Sequence, residues 1–392
     1  MQVCAIIAEY NPFHAGHAAQ IAEIRRRLPD CAVIALMSGN YVQRGAPALW
    51  DKYARAAFAV QADGPDLVVE LPITAALSSA EGFAHGGVSL AAALGCVTHL
   101  SFGCETGTEN SLTQLAAHLR SDAFAELLRT ELSSGTSYAL AAIRAAHRLC
   151  PQHTSLLESP NDLLAVQYCR FMQQLAPEMI PLAVRRHGAA HDGIPQDGIP
   201  SASYIRTQFQ AGSIDPALAL LPEAYRSAAR TARRHDWSDM EPAVLPYLRR
   251  LSAEQLRLLP GVSEGLEFRF VQACQNAGSL EQLWSAVRSR RHPLSRVRRL
   301  TLCAYLGVTQ QLTAIPPAFV TVLALNARGR LVLREMKTTC ALPVIVRPTA
   351  ARALTGDAAR LWSLTLGADD LYHFPAPAGA DWSATPFYTS PE

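Results

Sequence analysis

Several features are absent from this sequence, and each absence excludes a class of protein. It has no run of eighteen apolar residues, which argues against a membrane-spanning helix. Its nine cysteines form no Cys-x-x-Cys pair and are too sparse for a disulfide scaffold, and no His/Cys group has the spacing of a zinc site. The chain also starts with an apolar segment and no basic leader. We therefore expect a cytoplasmic protein with reduced cysteines and no membrane association, and we assign no residue to a metal.

Charge is also scarce overall, but it is unevenly placed. A net charge of +2 gives no argument for a nucleic-acid partner. Between residues 181 and 330, however, nineteen arginines and no lysine stand against eleven acidic residues. The densest cluster consists of Arg288, Arg290, Arg291, Arg296, Arg298 and Arg299. Arginine clusters bind phosphates through charged, salt-sensitive contacts, and a solvated helix face is the alternative interpretation.

Strand and helix patterns alternate through the first two hundred residues. Strands are predicted over residues 3–8, 32–37, 66–71 and 98–102, and helices over 19–27, 52–62 and 86–94. This order favours a parallel sheet with helices on both faces. From residue 207 onward helices separated by prolines predominate, although residues 319–325, 326–330 and 331–333 suggest a hairpin-like pair or a strand and turn. We predict an α/β fold with two domains, 1–206 and a mainly helical, Arg-rich region over 207–392.

The first turn of the chain carries the strongest chemical signal. Asn11-Pro12 ends the first strand, and His14 and His17 lie three residues apart, so both imidazoles can face one side of a helix mouth. Gly16 permits close approach of a ligand to the backbone. Free N–H groups and the helix dipole at such a turn suit a phosphate. Two surface histidines on an ordinary loop are the alternative.

The other strands of this region end in polar or glycine residues as well. In an open α/β sheet, ligands lie beyond the carboxyl ends of the strands, so these loops are expected to converge on one crevice. Asp51, Asp66 and Glu70 are interpreted as helix-cap or strand-end carboxylates, any of which could hold Mg²⁺ through water.

The segment Asn11-Pro12-Phe13-His14-x-Gly16-His17 resembles the His-x-Gly-His signature of the nucleotidyltransferase superfamily, whose Rossmann-like domains bind ATP. Further segments together resemble the bacterial tRNA(Met) cytidine acetate ligase family: residues 38–45, 66–72, 101–105, 159–162, 185–189 and 201–206. The similarity covers most of the chain and is densest up to residue 206. Ala15 stands where the family usually has Asn, and Ala46 where it often has Glu. Neither change removes a group assigned to catalysis.

The resemblance implies an ATP-dependent ligase that joins acetate to the wobble cytidine of elongator methionine tRNA through an acetyl-adenylate. His14 and His17 would be the catalytic donors to the triphosphate, Mg²⁺ would accompany ATP, and the arginine cluster would bind tRNA. The implied ATP pocket comprises Ile7, Ala8, Glu9, Tyr10, Asn11, Pro12, Phe13, His14, Ala15, Gly16, His17, Ala18, Ala19, Gln20, Gly103, Asn161 and Arg186.

Some assignments stay open. Ser203 is either the N-cap of a helix or, with Arg206, part of a second phosphate contact. Gln43, Arg44 and Lys52 could hold a tRNA phosphate or the departing pyrophosphate, or could be surface residues. Arg25, Arg26 and Arg27 are further candidates for phosphate contacts. Two other functions remain: a small-molecule adenylyltransferase, and a non-catalytic RNA-binding protein on a nucleotide-binding scaffold.

Overall fold

The computed structural model describes residues 1–136, 138–186, 200–263, 265–374 and 386–389. His187, Gly188 and Ala189, which belong to one of the segments that carry the resemblance, lie outside the described residues.

Ten strands and nineteen α-helices are present in this part of the chain. The strands are β1 Val3–Ala8, β2 Ala32–Ser38, β3 Tyr41–Val42, β4 Ala46–Pro47, β5 Leu67–Leu71, β6 His99–Cys104, β7 Ile180–Arg185, β8 Val320–Leu325, β9 Val344–Ile345 and β10 Phe387–Tyr388. The helices are α1 Ala15–Arg27, α2 Lys52–Gln61, α3 Ile73–Ala76, α4 Ala80–Ala93, α5 Glu109–His118, α6 Asp122–Ser133, α7 Tyr138–Leu149, α8 Pro160–Leu175, α9 Ala202–Gln210, α10 Ile214–Ala219, α11 Glu223–Thr231, α12 Trp237–Leu248, α13 Ala253–Arg257, α14 Leu266–Asn276, α15 Leu280–Val287, α16 Leu294–Leu306, α17 Gln310–Thr313, α18 Ala327–Thr339 and α19 Gly356–His373. Two 3₁₀ helices span Pro151–Leu157 and Pro348–Ala353.

The main sheet has the strand order β10-β8-β5-β2-β1-β6-β7, with β9 paired to β8. Strands β5, β2, β1, β6 and β7 are mutually parallel, and β8 runs antiparallel to β5. Every residue of β2 is buried, as expected for a central strand covered on both sides. The predicted α/β class and parallel sheet are confirmed.

Helices cover both faces of the sheet because alternate strand residues point in opposite directions. Val3 and Ile34 pack with helices α4, α5 and α8 on one face. Their neighbours Cys4 and Val33 pack with α1, α2 and α9 to α11 on the other. A third core joins the C-terminal helices to Tyr41 and the residues that follow β5. The parallel strands therefore bring the loops after β1, β2, β5, β6 and β7 to one edge.

One predicted element is wrong. Residues 331–333 are not a strand but lie inside helix α18. Asn326 directly follows β8 and caps this helix, since its side chain accepts a hydrogen bond from the Gly329 N–H at 2.9 Å. The turn that suggested a hairpin is therefore a helix start. Strand β8 instead joins the sheet beside β5, so strands that follow residue 206 belong to the same sheet. The division into domains at that residue stays a prediction.

None of the described helices combines the length and the apolar character that crossing a bilayer requires.

Candidate active site

A cleft of about 290 Å³ opens at the carboxyl edge of the sheet, between the start of α1, the ends of β6 and β7, and the start of α9. It is lined by His14, Gly16, His17, Ala19, Gln20, Glu23, Arg27, Gly103, Val184, Arg185, Arg186, Pro200 and Ser201. Segments from distant parts of the sequence thus meet where a parallel sheet is expected to bind its ligand.

The two histidines fix the mouth of helix α1 through a reciprocal pair of hydrogen bonds. His14 is the N-cap, and its Nδ1 accepts a hydrogen bond from the Gly16 N–H at 3.0 Å. In return, the Nδ1 of His17 accepts one from the His14 N–H at 3.3 Å. Both Nδ1 atoms act as acceptors, so the neutral tautomer carries its proton on Nε2. Each ring therefore presents an Nε2–H donor at a helix N-terminus.

Burial and nearby cations keep both rings neutral. Burial, together with the positive charges of Arg186 and Arg206, lowers the pKa of His14 to about 4. Burial, His14 and Arg186 lower the pKa of His17 well below its usual value. At neutral pH the rings therefore act as uncharged hydrogen-bond donors, and the positive charge of the cleft comes from arginine.

The histidines are also more deeply packed than residues at a helix mouth usually are. His14 is only 5% exposed. The ring of His17 lies 5.0 Å from that of Tyr10 and 5.6 Å from that of Phe13, and the two histidine rings are 4.1 Å apart. The alternative of two ordinary surface histidines is therefore wrong. Substitutions here are expected to affect folding as well as chemistry.

Two arginines bring charge to the histidines. Arg186 follows β7, and its side chain packs across Gly103, where a Cβ would lie 3.1 Å from the Arg186 Cγ. Desolvation lowers the pKa of Arg186, and Glu105 partly opposes that shift. Arg206 of α9 reaches the first loop, since its Nη1 donates to the Asn11 carbonyl at 2.5 Å. The charges of guanidinium groups from two separate segments thus act on His14.

Much of the predicted ATP loop is packed into the protein and does not line the cleft. Tyr10, Asn11 and Phe13 are almost wholly buried, and Pro12 is buried as well. Asn11 holds the loop by accepting from the Leu49 N–H at 2.8 Å. Ile7, Ala8, Glu9 and Ala18 are half-buried and Ala15 is exposed, and none of these five lines the cleft. Gly16, Ala19, Gln20, Gly103 and Arg186 do line it, together with the two histidines.

Asn161, in the first turn of α8, does not line the cleft and contacts the loop that follows β6. Its Nδ2 donates to Glu105 Oε1 at 2.6 Å. The neighbouring Asp162, fully buried, accepts from the N–H groups of Glu105 and Thr106 at 2.7 and 3.0 Å. The start of α8 therefore fixes the loop that follows β6. A contact of Asn161 with nucleotide stays a prediction.

The predicted ATP pocket did not include several residues that line the cleft: Glu23, Arg27, Val184, Arg185, Pro200 and Ser201. Glu23 and Arg27 lie two and three turns into α1, where their spacing of three and seven residues from Gln20 could have placed them on the face of that predicted pocket residue. Ser201, not Ser203, is the N-cap of α9, because its hydroxyl accepts from the Tyr204 N–H at 3.2 Å. The predicted capping role of Ser203 is therefore wrong.

The carboxylates and the lysine of the neighbouring loops are engaged within the protein. Asp51 caps α2, as expected, by accepting from the Tyr53 and Ala54 N–H groups at 2.9 and 3.0 Å. Asp66 accepts from the Val33 N–H at 2.8 Å. Glu70 accepts from Lys52, whose side chain is 4% exposed and is therefore not available to a phosphate. In the described part of the chain no group of three or more His, Cys, Asp or Glu residues could hold a metal ion.

The predicted arginine cluster divides into two kinds of residue. Arg288, Arg290 and Arg291 are exposed. Arg296 donates to the carbonyls of Arg291 and Gly261 at 3.1 and 2.7 Å. The remaining two are half-buried on α16: Arg298 stacks 4.5 Å above the ring of Trp284, and Arg299 donates to the Gln43 carbonyl at 3.1 Å. A phosphate role of the cluster stays a prediction, and the exposed three are the accessible members.

The arginines at the end of α1 are likewise paired inside the molecule. Arg25 donates to the carbonyls of Asp63 and Gly64, both at 2.9 Å. Arg26 and Arg27 form ion pairs with Glu23 at 2.7 and 2.6 Å. The Arg26 side chain is nevertheless 71% exposed, and a phosphate contact of this run stays a prediction.

Comparison with known proteins agrees with this geometry. Residues 1–383 match the family model described as HIGH Nucleotidyl Transferase. A tRNA(Met) cytidine acetate ligase of Syntrophomonas wolfei is 32% identical over 98% of this chain and 99% of its own length, and one of Clostridium perfringens is 31% identical over 96% of each. Crystal structures of Thermotoga maritima TmcAL, one apo and one bound with alpha-thio ATP, are 27% identical, match with TM-scores of 0.92 and 0.91, and cover 100% of both chains. The chain therefore belongs to the HIGH nucleotidyl transferases and, among them, to the tRNA(Met) cytidine acetate ligase family.

Proposed function

We propose that this chain is an ATP-dependent ligase that acetylates the wobble cytidine of elongator methionine tRNA and works in the cytoplasm, where that substrate is found. The two half-reactions are formation of acetyl-adenylate from acetate and ATP, and transfer of the acetyl group to the exocyclic N4 amine of cytidine. The relatives that bear this activity in their names align with the whole chain rather than with a part of it.

The observation that carries the proposal is the neutral histidine pair at the mouth of α1. An Nε2–H donor from each ring, the N–H groups of the first helical turn and the guanidinium groups near His14 together form a site for a polyanion. A triphosphate fits this charge pattern, and a cleft of about 290 Å³ has the size of a small-ligand site.

The residues act mainly by positioning and electrostatic stabilisation. One carboxylate oxygen of acetate attacks the α-phosphorus of ATP, the bond to the bridging oxygen of pyrophosphate breaks, and pyrophosphate departs with that electron pair. Negative charge grows on the phosphate oxygens during this step, and His14, His17, Arg186 and Arg206 are placed to stabilise it. We assign Arg206 to this set because its charge acts on His14.

In the second step the N4 amine of cytidine attacks the acetyl carbon. The bond between the acetyl carbon and the phosphate oxygen breaks, and AMP leaves with its electron pair. The amine loses a proton, which gives N4-acetylcytidine. We propose that Mg²⁺ enters on the triphosphate, because the carboxylates near the cleft are occupied by arginine and backbone donors. The exposed Arg288, Arg290 and Arg291 are proposed to contact tRNA phosphates.

The test is the exchange of radiolabelled pyrophosphate into ATP. A reversible acetyl-adenylate requires acetate and no tRNA, so the purified protein should exchange label when acetate is present and not when it is omitted. Parallel reactions should contain nicotinamide mononucleotide or phosphopantetheine in place of acetate. Exchange with either of these and none with acetate would establish the small-molecule adenylyltransferase instead. No exchange with any of them, combined with tRNA binding, would establish a non-catalytic RNA-binding protein.

A further inference from the structure

A buried ion cluster lies at the same edge of the sheet, away from the cleft. The ammonium group of Lys52, at the start of α2, is 2.9 Å from both carboxylate oxygens of Glu70 on β5. It is also 2.5 Å from Oδ2 of Asp369 on α19. The side chains are 4%, 7% and 16% exposed, respectively. Three segments that are distant in sequence are thus joined by one charged group.

The surroundings are built for this cluster. Asn40 accepts from the Lys52 N–H and donates from its Nδ2 to Asp369, both at 2.8 Å. Gly39 gives the Glu70 carboxylate room, since a Cβ there would collide with it. Burial alone would lower the pKa of Lys52, but Asp369 and Glu70 outweigh burial and raise it, so the lysine is charged. A buried charge persists only where partners surround it in this way.

The segment that contributes these residues, 38–52, also contacts the C-terminal helices directly. The Tyr41 hydroxyl donates to the Ala368 carbonyl at 3.1 Å, and the Tyr372 hydroxyl donates to the Ala48 carbonyl at 2.8 Å. At the tip, Gly45 has a φ of +73° and lies against the backbone of α16, where a Cβ would collide with the Arg299 nitrogen. The segment is therefore held by α19 on one side and by α16 on the other.

The same segment reaches the loop that forms the cleft. The Gln43 N–H donates to Oε1 of Glu9 at 2.8 Å, while the Gln43 carbonyl accepts from Arg299 at 3.1 Å. Arg55 of α2 donates to the carbonyls of Glu9 and Gly39, and to that of Ser38 at 2.9 Å. A continuous set of contacts therefore runs from the end of β1 through residues 38–52 to α16.

We propose that Lys52, Glu70 and Asp369 are positioning residues for the transfer step, because they anchor residues 38–52 to α19, and the same segment joins the first loop to α16. This inference rests on the proposed function. Adenylate formation uses small substrates held by the cleft alone. Transfer requires in addition that a large substrate bound elsewhere places one amine against the acetyl carbon, and a displacement of about 1 Å in such a geometry costs on the order of a hundredfold in rate.

The test compares Asp369→Ala with Asp370→Ala. Asp370 lies on the same helix and is exposed, so its substitution makes the same change in charge without touching the cluster. In Asp369→Ala the Lys52–Glu70 pair remains, and no unpaired buried charge is created. For this variant we expect acetate-dependent pyrophosphate exchange within about twofold of the wild-type rate, and single-turnover transfer to tRNA slower by about tenfold or more. Asp370→Ala should leave both rates unchanged.

Asp369→Asn supplies a second variant that keeps the side-chain volume and one of the two oxygen acceptors, which can serve Lys52 but not Asn40 at the same time. It should fold like the wild type and show a smaller selective loss of transfer. Hydrogen exchange gives a structural readout, because the Ala48 N–H bonded to the Asn40 carbonyl should lose protection in Asp369→Ala. Equal falls of exchange and transfer would reduce the cluster to a general structural role, and unchanged transfer in both variants would also overturn the inference. If the wild-type protein showed no acetate-dependent pyrophosphate exchange, this result would instead refute the proposed function.

Discussion

Replacing His14 by Asn or by Ala separates its two roles. The side chain caps α1 through Nδ1 and presents Nε2–H to the cleft. Asn is among the best N-cap residues, so its Oδ1 can still accept from the Gly16 N–H, but it is too short to replace the Nε2 donor. Ala removes both functions. The two variants therefore differ in the cap and share the loss of the donor.

The expected magnitudes follow from these contacts. Loss of a preorganised donor to the developing charge costs about 3 kcal/mol of barrier, so pyrophosphate exchange should fall on the order of a hundredfold or more in both variants. Loss of the cap costs about 1 kcal/mol of stability, so His14→Ala should be less stable than His14→Asn by roughly this amount. Both should also lose some packing energy, because the ring lies 4.1 Å from that of His17.

The assay pairs initial exchange rates with unfolding free energies from urea titrations of the same preparations. A near-normal exchange rate in His14→Asn would show that Nε2 does not stabilise the transition state. Equal stability of the two variants would refute the capping role. Addition of ATP during the titrations would show whether a lower rate reflects loss of binding or loss of catalysis.

Three further predictions address charge, surface and backbone. The folded pKa of His14, about 4, lies below the unfolded value of about 6.5, so its contribution to stability is complete above pH 6.5 and falls by about 1.4 kcal/mol per pH unit between pH 6.5 and 4. Urea midpoints measured from pH 8 down to pH 5 should therefore decrease on acidification. Pyrophosphate exchange rates over the same range should show no histidine inflection near pH 6.5. Replacing the exposed Arg290 and Arg291 by Glu should weaken tRNA binding and flatten the slope of log binding constant against log salt concentration by about 0.9 for each lost contact. Arg298→Glu should mainly lower stability, because the Arg298 guanidinium stacks on Trp284. An unchanged slope in the Arg290 and Arg291 variant would remove these two residues from the interface. Gly45→Ala should lower the free energy of unfolding by more than about 1 kcal/mol, since a φ of +73° is strained for alanine and the alanine Cβ would collide with α16. A variant as stable as the wild type would contradict the observed packing.

Local patterns predicted the N-terminal part of the sheet well because they are set by short-range chemistry. The apolar run over Val3–Ala8, the break at Asn11-Pro12 and the helix that follows are encoded within a few residues of one another. The position of the cleft followed from the parallel order of the strands. The turn after β8 was misjudged because Asn326 and Gly329 suit a hairpin and a capped helix start alike, and only the packing of α18 on the sheet decides between them.

The chemistry of Lys52 could not be read from its neighbours in sequence. A lysine eight residues after Arg44, close to a segment with the family resemblance, suggests a phosphate contact, yet its partner Asp369 lies more than three hundred residues away. Likewise, the cluster from Arg288 to Arg299 has a uniform charge in the sequence, but in the structure three of its arginines are exposed, whereas Arg298 and Arg299 are half-buried. Such pairings depend on tertiary packing, which no local periodicity reports.

The segments that carry the family resemblance lie in two different parts of the structure. The first loop and the start of α9 meet at the cleft, where a nucleotide can be recognised by any enzyme of the superfamily. Segments 38–45 and 66–72, which distinguish the narrower family, supply Asn40, Gln43 and Glu70 to contacts with α16, α19 and Lys52. Adenylation by itself requires no such connection to C-terminal helices. Residues typical of the narrower family therefore lie between the cleft and the C-terminal helices, which is the placement that the proposed positioning role in the transfer step requires.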